Sequence, residues 1–170
     1  WDQKGKEHID AVSGGVWTVN VGYGRERIAN AIRDQLIKLP YFAGSAGSIP
    51  GALFSEKLIS KMPGMSRVYY TNSGSEANDT AIKIIWDYNN ARGRHEKKKI
   101  IGRVNGYHGI TLAAASLIGR SLNHAGFDVP LDKFLHTHNP HYYRFGEDGE
   151  SEEDFATRMA DDLDQMIIDE

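Results

Sequence analysis

The sequence predicts an α/β protein with a mainly parallel sheet and flanking helices, and two observations carry that prediction. Short β-branched or aromatic segments at 67–71 and 99–104 each run into a glycine-containing turn. Apolar residues at helical spacing follow each turn, over 77–88 and 113–117. Alternation of strand, turn and helix is typical of βαβ units, whose ligands bind beyond the carboxyl ends of the strands. Both glycine turns therefore lie where a ligand site is expected.

One further strand and two further helices are predicted ahead of these units. Residues 7–12 form a short extended run that ends at a Ser-Gly-Gly turn, which predicts a strand. Apolar residues at helical spacing predict a helix over 25–39, ended by Pro40. The same spacing predicts a second helix over 53–62, ended by Pro63, and the glycine- and serine-rich stretch between the two helices predicts a loop.

The last third of the chain is predicted as a long loop followed by one helix. Residues 119–149 are rich in Gly, Pro, Asn and His and show little periodicity, which is typical of a functional loop. Beyond them, apolar residues recur at steps of four, with acidic residues between them. Ser151, with Asp154 three residues later, is an acidic variant of the capping box and predicts the start of this helix.

Composition excludes several classes of protein. The 170 residues carry 20 Lys+Arg against 23 Asp+Glu, for a net charge of -3, so no single-sign field favours nucleic acid. No apolar run approaches the roughly 18 residues that cross a bilayer, so no membrane span is predicted. The absence of cysteine excludes disulfides, thiolate metal sites and a cysteine nucleophile. With no basic and apolar leader at the start, the predicted compartment is the cytoplasm.

The strongest local motif is Thr-Asn-Ser-Gly-Ser-Glu-Ala-Asn at 71–78, between a predicted strand and a predicted helix. A helix start there offers free backbone N–H groups and about half a positive charge, which predicts an anion site suited to phosphate. Gly74 lets the backbone approach the ligand closely, and Ser75 adds a hydroxyl donor. The alternative is that Ser73 or Ser75 only caps the helix. The motif lacks the Gly-Lys-Ser/Thr ending of a P-loop, and no GxGxxG occurs, so neither a nucleoside triphosphate nor a dinucleotide is indicated.

A second motif, Gly-Tyr-His-Gly at 106–109, follows the second predicted strand. Its flanking glycines allow Tyr107 to present an aromatic face on which a flat cofactor can lie. The alternative is that Tyr107 is a core residue with its hydroxyl bonded, and that His108 is structural. The nearby histidines at 136, 138 and 141 invite a metal site, but there is no HExxH and Pro140 constrains the backbone, so no metal is predicted.

Three segments in register resemble the class III aminotransferases, which use pyridoxal phosphate on the fold type I scaffold. The segments are 71–83, 106–109 and, upstream in the same order, 14–24, which is similar to the omega-amino acid or amine:pyruvate branch. The resemblance implies that residues 1–50 are an N-terminal segment that contributes to the small domain and the substrate-pocket loop. It implies that residues 51–170 are the first half of the large cofactor-binding domain, with the C-terminal remainder absent.

The resemblance also implies roles for individual residues around the cofactor. It puts the phosphate of pyridoxal phosphate on the backbone of Gly74 and on Ser75, in agreement with the anion site. In this family the aromatic of the second motif stacks on the pyridine ring, so Tyr107 takes that role and His108 lies beside it.

The same resemblance implies a substrate pocket and a reaction. Trp17, Tyr41 and Phe42 would line the pocket. The Schiff-base lysine and the acid beside the pyridine nitrogen follow well after these residues in the family, so the catalytic residues are not assigned. The implied reaction moves an amino group from an omega-amino acid or primary amine to pyruvate or another oxo acid, in a homodimer with its sites at the subunit interface. The alternative is that these 170 residues alone are a non-catalytic fragment that binds phosphate or cofactor.

Overall fold

The computed structural model describes every residue of the chain except 13, 17 and 43–46. The described residues divide into two compact units, Trp1–Val68 and Tyr69–Glu170. In this described part, no helix is both long enough and apolar enough to cross a membrane. The predicted domain boundary after residue 50 stays a prediction.

Among its described residues, the first unit contains two helices, α1 at Glu26–Lys38 and α2 at Ile49–Ile59. Both predicted helices are therefore confirmed, and α2 begins earlier than its apolar pattern suggested. Proline is well tolerated in the first turn of a helix, where its missing N–H has no partner to lose, so Pro50 starts α2 instead of ending a loop. The side chain of Ser48 caps α2 by accepting a hydrogen bond from the amide of Gly51 at 3.2 Å.

The predicted strand at 7–12 is wrong, because a turn forms at its end. The carboxylate of Asp10 accepts hydrogen bonds from the amides of Val12 at 2.9 Å and Gly14 at 2.7 Å. Aspartate side chains often bind their own downstream backbone in this way, which offers those amides an alternative to a strand ladder.

The second unit alternates helices with two short strands. Its elements, in chain order, are α3 at Gly74–Ala91, β1 at Ile100–Arg103, α4 at Leu112–Ser116, a single 3-10 turn at Ser121–Asn123, β2 at Phe134–Thr137, α5 at Tyr142–Phe145 and α6 at Glu152–Asp169. Ser151 caps α6, accepting from the amide of Asp154 at 3.1 Å and donating to its carboxylate at 2.7 Å, so the predicted acidic capping variant is confirmed.

The sheet is parallel, as predicted. Strands β1 and β2 pair in a register that sets Ile100 opposite Phe134 and Arg103 opposite Thr137. Beyond this ladder, Gly119 pairs with Val104 in an isolated parallel bridge. A side chain at Gly119 would clash with the backbone at the end of β1. Its Cβ would lie 2.5 Å from the Cα of Val104 and closer still to the carbonyl oxygen of Arg103. Glycine at this position therefore allows the chain to lie directly against the end of β1.

One predicted strand and one predicted loop fail for the same physical reason. Residues 67–71 have strand-like composition but form no strand in the described part of the chain, whereas β2 lies inside the predicted loop 119–149. A strand exists only where a neighbouring strand accepts and donates its backbone hydrogen bonds. β2 is four residues long and half polar, so its own sequence pattern is too short and mixed to indicate a strand. It is a strand because it pairs with β1.

A small apolar core joins the helices to the sheet. Three buried residues form it, with three half-buried residues packed around them: Ile82, Leu117 and Phe134, then Trp86, Ile100 and Ala113. The core includes residues of α3, of both strands and of the α4 region. This packing holds α3 and α4 together, and the N-terminal ends of these two helices carry the candidate site.

An ion pair ties α6 to the turn that precedes it. The guanidinium of Arg158 contacts both carboxylate oxygens of Glu150, at 2.7 and 2.8 Å, and donates to the carbonyl of Phe145 at 3.1 Å. The Arg158 bonds, with a further bond from the amide of Glu147, hold the pKa of Glu150 at about 2, below its ordinary value. The hydroxyl of Tyr142 donates to the carbonyl of Glu150, so the turn is held from both sides.

Candidate functional site

Two side chains bond backbone amides around the first turn of α3, and the amides of Gly74 and Ser75 lie outside these bonds. The hydroxyl of Ser73 accepts from the amide of Glu76 at 3.2 Å, and the carboxylate of Glu76 accepts from the amide of Asn72 at 2.7 Å. Ser73 is therefore the N-cap residue, and Ser75 is not. The first amides of an α-helix have no partner within the helix, so those of Gly74 and Ser75 point out of its N-terminus. This is the geometry of an anion site.

Ser75 also joins this turn to the second motif. Its side chain is only 9% exposed, and its hydroxyl oxygen accepts from the amide of Ile110 at 3.0 Å, 35 residues along the chain. A serine hydroxyl that accepts one hydrogen bond still has its own proton to donate. Ser75 can therefore hold the neighbouring loop and donate to an anion at the same time.

Gly109 makes this close approach possible. Its φ is +131°, a conformation that side chains rarely adopt, and a Cβ there would lie 2.9 Å from the Cβ of Ser75 and 3.0 Å from that of Ala114. The hydroxyl oxygen of Ser75 would be closer still. The backbone at Gly109 thus packs directly on the side chain that begins the anion site.

Two more polar residues of α3 bind the same loop. The side-chain amide of Asn78 donates to the carbonyl of His108 at 2.7 Å. A carboxylate oxygen of Asp79 accepts from the hydroxyl of Thr111 at 2.8 Å and from the amide of Ala114 at 3.1 Å. No motif in the sequence assigned a role to either residue. The signal available was their position in the helix, because they lie three and four residues beyond the first loop contact and so share its face.

The loop presents Tyr107 to solvent and keeps His108 half-buried. Tyr107 is 60% exposed, so the alternative that it is a core residue is wrong. His108 is held through its carbonyl, as described above, and its ring lies against Gly106, where a Cβ would be 3.0 Å from the imidazole Nε2. An exposed aromatic side chain and two free amides are thus carried by elements that are hydrogen bonded to each other.

The structure brings together four of the seven predicted site residues. Gly74, Ser75, Tyr107 and His108 all belong to the second unit, at the junction of α3 with the loop before α4. The predicted substrate-pocket residues belong to the first unit. There, Tyr41 and Phe42 are exposed and line a cleft of about 270 Å³ with residues from the end of α1 and the start of α2. Trp17 lies outside the described residues.

The histidines of the region after β1 do not converge. His138 lies 3.7 Å from a carboxylate oxygen of Asp162, and the ring of His136 lies 5.8 Å from that of His124. Over residues 1–12, 14–16, 18–42 and 47–170, no three side chains of metal-ligating type come together.

Known aminotransferases are similar to this chain over nearly all of its length. A profile of the family described as Aminotransferase class-III matches residues 1–170. The hypotaurine/taurine–pyruvate aminotransferase of Paracoccus denitrificans (strain Pd 1222) is 47% identical over 168 residues, which are 99% of this chain and 36% of that protein. A probable mitochondrial gamma-aminobutyrate transaminase of Oryza sativa is 46% identical, over 100% of this chain and 35% of its own length.

Two solved transaminase structures are also similar to this chain. The omega transaminase from Pseudomonas jessenii in complex with PMP superposes with a TM-score of 0.93 at 49% identity, covering 99% of this chain and 38% of that one. A transaminase with L-Ala superposes with a TM-score of 0.90 at 53% identity, covering 98% of this chain and 38% of its own.

The fold is that of the transaminase structures, and this chain belongs to the class III aminotransferase family. The chain spans about a third of the length of the curated relatives it matches, 36% and 35% for the two described above. The predicted fold type and family are thereby confirmed.

Proposed function

We propose that the full-length protein is a pyridoxal-phosphate-dependent aminotransferase that moves an amino group from an omega-amino acid or primary amine to pyruvate or another oxo acid. The observation that carries this proposal is the junction of the free amides of Gly74 and Ser75 with the loop that presents Tyr107. The names of two relatives support the substrate class, since one acts on hypotaurine or taurine with pyruvate and the other is a gamma-aminobutyrate transaminase.

The residues present fit the phosphate of this cofactor. Two outward-pointing amides, the hydroxyl proton of Ser75 and the positive end of α3 suit a phosphate group. Glu76 is the acidic residue of this first turn, and its carboxylate accepts a hydrogen bond from the amide of Asn72. We therefore assign the phosphate to Gly74 and Ser75.

The residues also fit the cofactor ring. An exposed aromatic side chain stacks well on a flat heteroaromatic ring, and Tyr107 is the exposed aromatic of the loop. Pyridoxal phosphate, when bound, supplies the electron sink that amino-group transfer needs. The part of this chain is then to bind the phosphate, to orient the ring with Tyr107, to hold His108 beside it and to exclude water from one ring face. Trp17, Tyr41 and Phe42 are proposed to line the substrate pocket.

The absorption spectrum of the full-length protein tests this proposal. The purified protein is mixed with pyridoxal phosphate, and a near-visible cofactor band is recorded before and after addition of taurine, β-alanine or gamma-aminobutyrate. We expect at least one donor to bleach the band, and pyruvate to restore it with formation of alanine. A band that no donor changes would favour the alternative, a non-catalytic cofactor-binding protein, and no band at all would refute both.

Substitution of Ser75 tests the phosphate assignment. Ser75→Ala removes a hydroxyl donor from the site, so we expect faster loss of cofactor during dialysis than in the wild type. Ser60→Ala is the matched control, because this exposed hydroxyl in the other unit donates only to the carbonyl of Lys57. Equal cofactor retention in the two variants would contradict the assignment.

We further propose a homodimer and a cytoplasmic location. The dimer follows from the family resemblance, in which the sites lie at the subunit interface. The lack of cysteine in the 170 residues is typical of a reducing compartment. Light scattering of the full-length holoprotein is expected to give twice the chain mass, and cell fractionation is expected to recover the protein in the cytosol; a monomer or a membrane-bound pool would contradict the respective proposal.

A further inference from the structure

One face of α3 is devoted to the loop that carries Tyr107. Ser75, Asn78 and Asp79 stand at positions i, i+3 and i+4 of the helix, and these positions share a face. Ser75 accepts from the amide of Ile110, and Asn78 donates to the carbonyl of His108. Ile82, at position i+7 of the same face, is a core residue. The polar end of this face is therefore a row of loop contacts that begins at the anion site.

Asp79 replaces the ordinary cap of α4. The N-cap residue of α4 is Thr111, a residue type that usually accepts from the third amide of its own helix. Here Thr111 makes no side-chain cap bond, and its hydroxyl donates to Asp79 instead. The third amide of α4, at Ala114, also donates to Asp79. One carboxylate oxygen of α3 thus fixes where α4 begins and where the loop ends.

We propose that Asp79 is a positioning residue that holds the Tyr107 ring at a fixed distance from the phosphate-binding amides, with Asn78 as its partner. The inference rests on the proposed function. The loop is bound to α3 through the carbonyl of His108, the amide of Ile110 and the hydroxyl of Thr111. Tyr107, the residue immediately before the first of these contacts, therefore has little freedom. A rigid ligand that touches both the amides and the ring needs this spacing to be preset.

Preset spacing has a consequence that a purely structural role does not. A cofactor that binds through two contacts gains most when both contacts are placed before it arrives, since no binding energy is then spent on ordering the loop. Loss of the Asp79 contacts should therefore weaken cofactor binding only while Tyr107 is present to be placed. In a protein that lacks the Tyr107 ring, loss of the Asp79 contacts should change cofactor affinity little.

A double-mutant cycle on the full-length protein tests this coupling. The dissociation constant of pyridoxal phosphate is measured by fluorescence quenching for wild type, Asp79→Ala, Tyr107→Ala and the double variant. We expect Asp79→Ala to weaken binding in the wild-type background by no more than loss of the Tyr107 ring does, which is about 2- to 13-fold. In the Tyr107→Ala background we expect Asp79→Ala to cause a clearly smaller change, below about 1.5-fold, which is the non-additivity expected of coupled residues.

The conservative variant and two controls separate positioning from general stability. Asp79→Asn keeps a side-chain oxygen that can accept both bonds, so it should recover most of the lost affinity. Asp87→Asn removes an exposed charge further along the same helix, and Asn89→Ala removes a buried bond to the carbonyl of Ile85 at 2.9 Å. Both controls should leave cofactor affinity at the wild-type value, even where Asn89→Ala lowers the unfolding temperature.

Backbone amide exchange gives a readout that needs no cofactor. In Asp79→Ala the amides of Ile110 and Ala114 should exchange faster than in wild type, while those of the core strands should not. Equal effects of Asp79→Ala in both Tyr107 backgrounds, or wild-type affinity in Asp79→Ala, would overturn the inference and leave the proposed function standing. A wild-type protein that binds no pyridoxal phosphate would overturn the proposed function, and the inference with it.

Discussion

Replacing Gly109 with alanine should damage the candidate site by adding one methyl group and removing no polar atom. The added Cβ would lie 2.9 Å from the Cβ of Ser75 and 3.0 Å from the Cβ of Ala114, and still nearer to the Ser75 hydroxyl. Ser75 is 9% exposed and Ala114 is 0% exposed, so neither can move aside into solvent. The strain must be relieved by separating the loop from α3, which lengthens the bond from Ile110 to Ser75.

Two costs add up at this position. The φ of +131° at Gly109 is strained for any other residue, at about 1–3 kcal/mol. Overpacking by one methyl group in a closed environment costs about 1–3 kcal/mol more. We therefore expect Gly109→Ala to lower the free energy of unfolding by about 2–6 kcal/mol and to weaken cofactor binding, because the loop that carries Tyr107 is displaced.

Gly93→Ala is the matched control. Gly93 also has a positive φ, +70°, but no atom lies within 4 Å of the Cβ that alanine would add. The expected cost of Gly93→Ala is then only that of placing a Cβ on a left-handed backbone, about 1–2 kcal/mol. Urea unfolding of the full-length protein, followed by fluorescence, gives the stability of each variant, and cofactor titration gives the affinity. The contact between Gly109 and Ser75 would be refuted if the Gly109→Ala variant unfolded no more easily than Gly93→Ala and also bound the cofactor as the wild type does.

Two further predictions concern the exposed aromatic and the ion pair. Tyr107→Ala should weaken pyridoxal phosphate binding by about 2- to 13-fold, the factor for 0.5–1.5 kcal/mol of stacking, while Tyr107→Phe should bind almost as the wild type does; equal affinity in all three proteins would contradict stacking. The pKa of Glu150 is lowered to about 2 by its bonds from Arg158, so the stability it contributes is complete above its ordinary pKa of about 4.5 and is lost as the pH falls towards 2. The difference in unfolding midpoint between wild type and Glu150→Gln should therefore be constant from pH 7 to 5 and shrink below pH 4.5, and a difference that does not change with pH would contradict the ion pair.

Much of the site could be predicted because its chemistry is local in sequence. The cap at Ser73 and the helix amides that follow it lie within one helical turn, so the local sequence indicates them. The amphipathic helices α1 and α6 follow from an apolar period that is independent of the rest of the chain.

Contacts between distant residues decided the rest, and no local pattern encodes them. β2 is a strand because β1 lies beside it, 34 positions away in the register, and residues 67–71 form no strand without such a neighbour. The roles of Asn78 and Asp79 depend on partners 30 to 35 residues along the chain. Sequence by itself determined which helix start can bind an anion, since its amides and cap lie within one turn. Only the tertiary structure decided which loop that helix holds against it, because hydrogen bonds across 30 residues depend on the packing of α3 against the sheet.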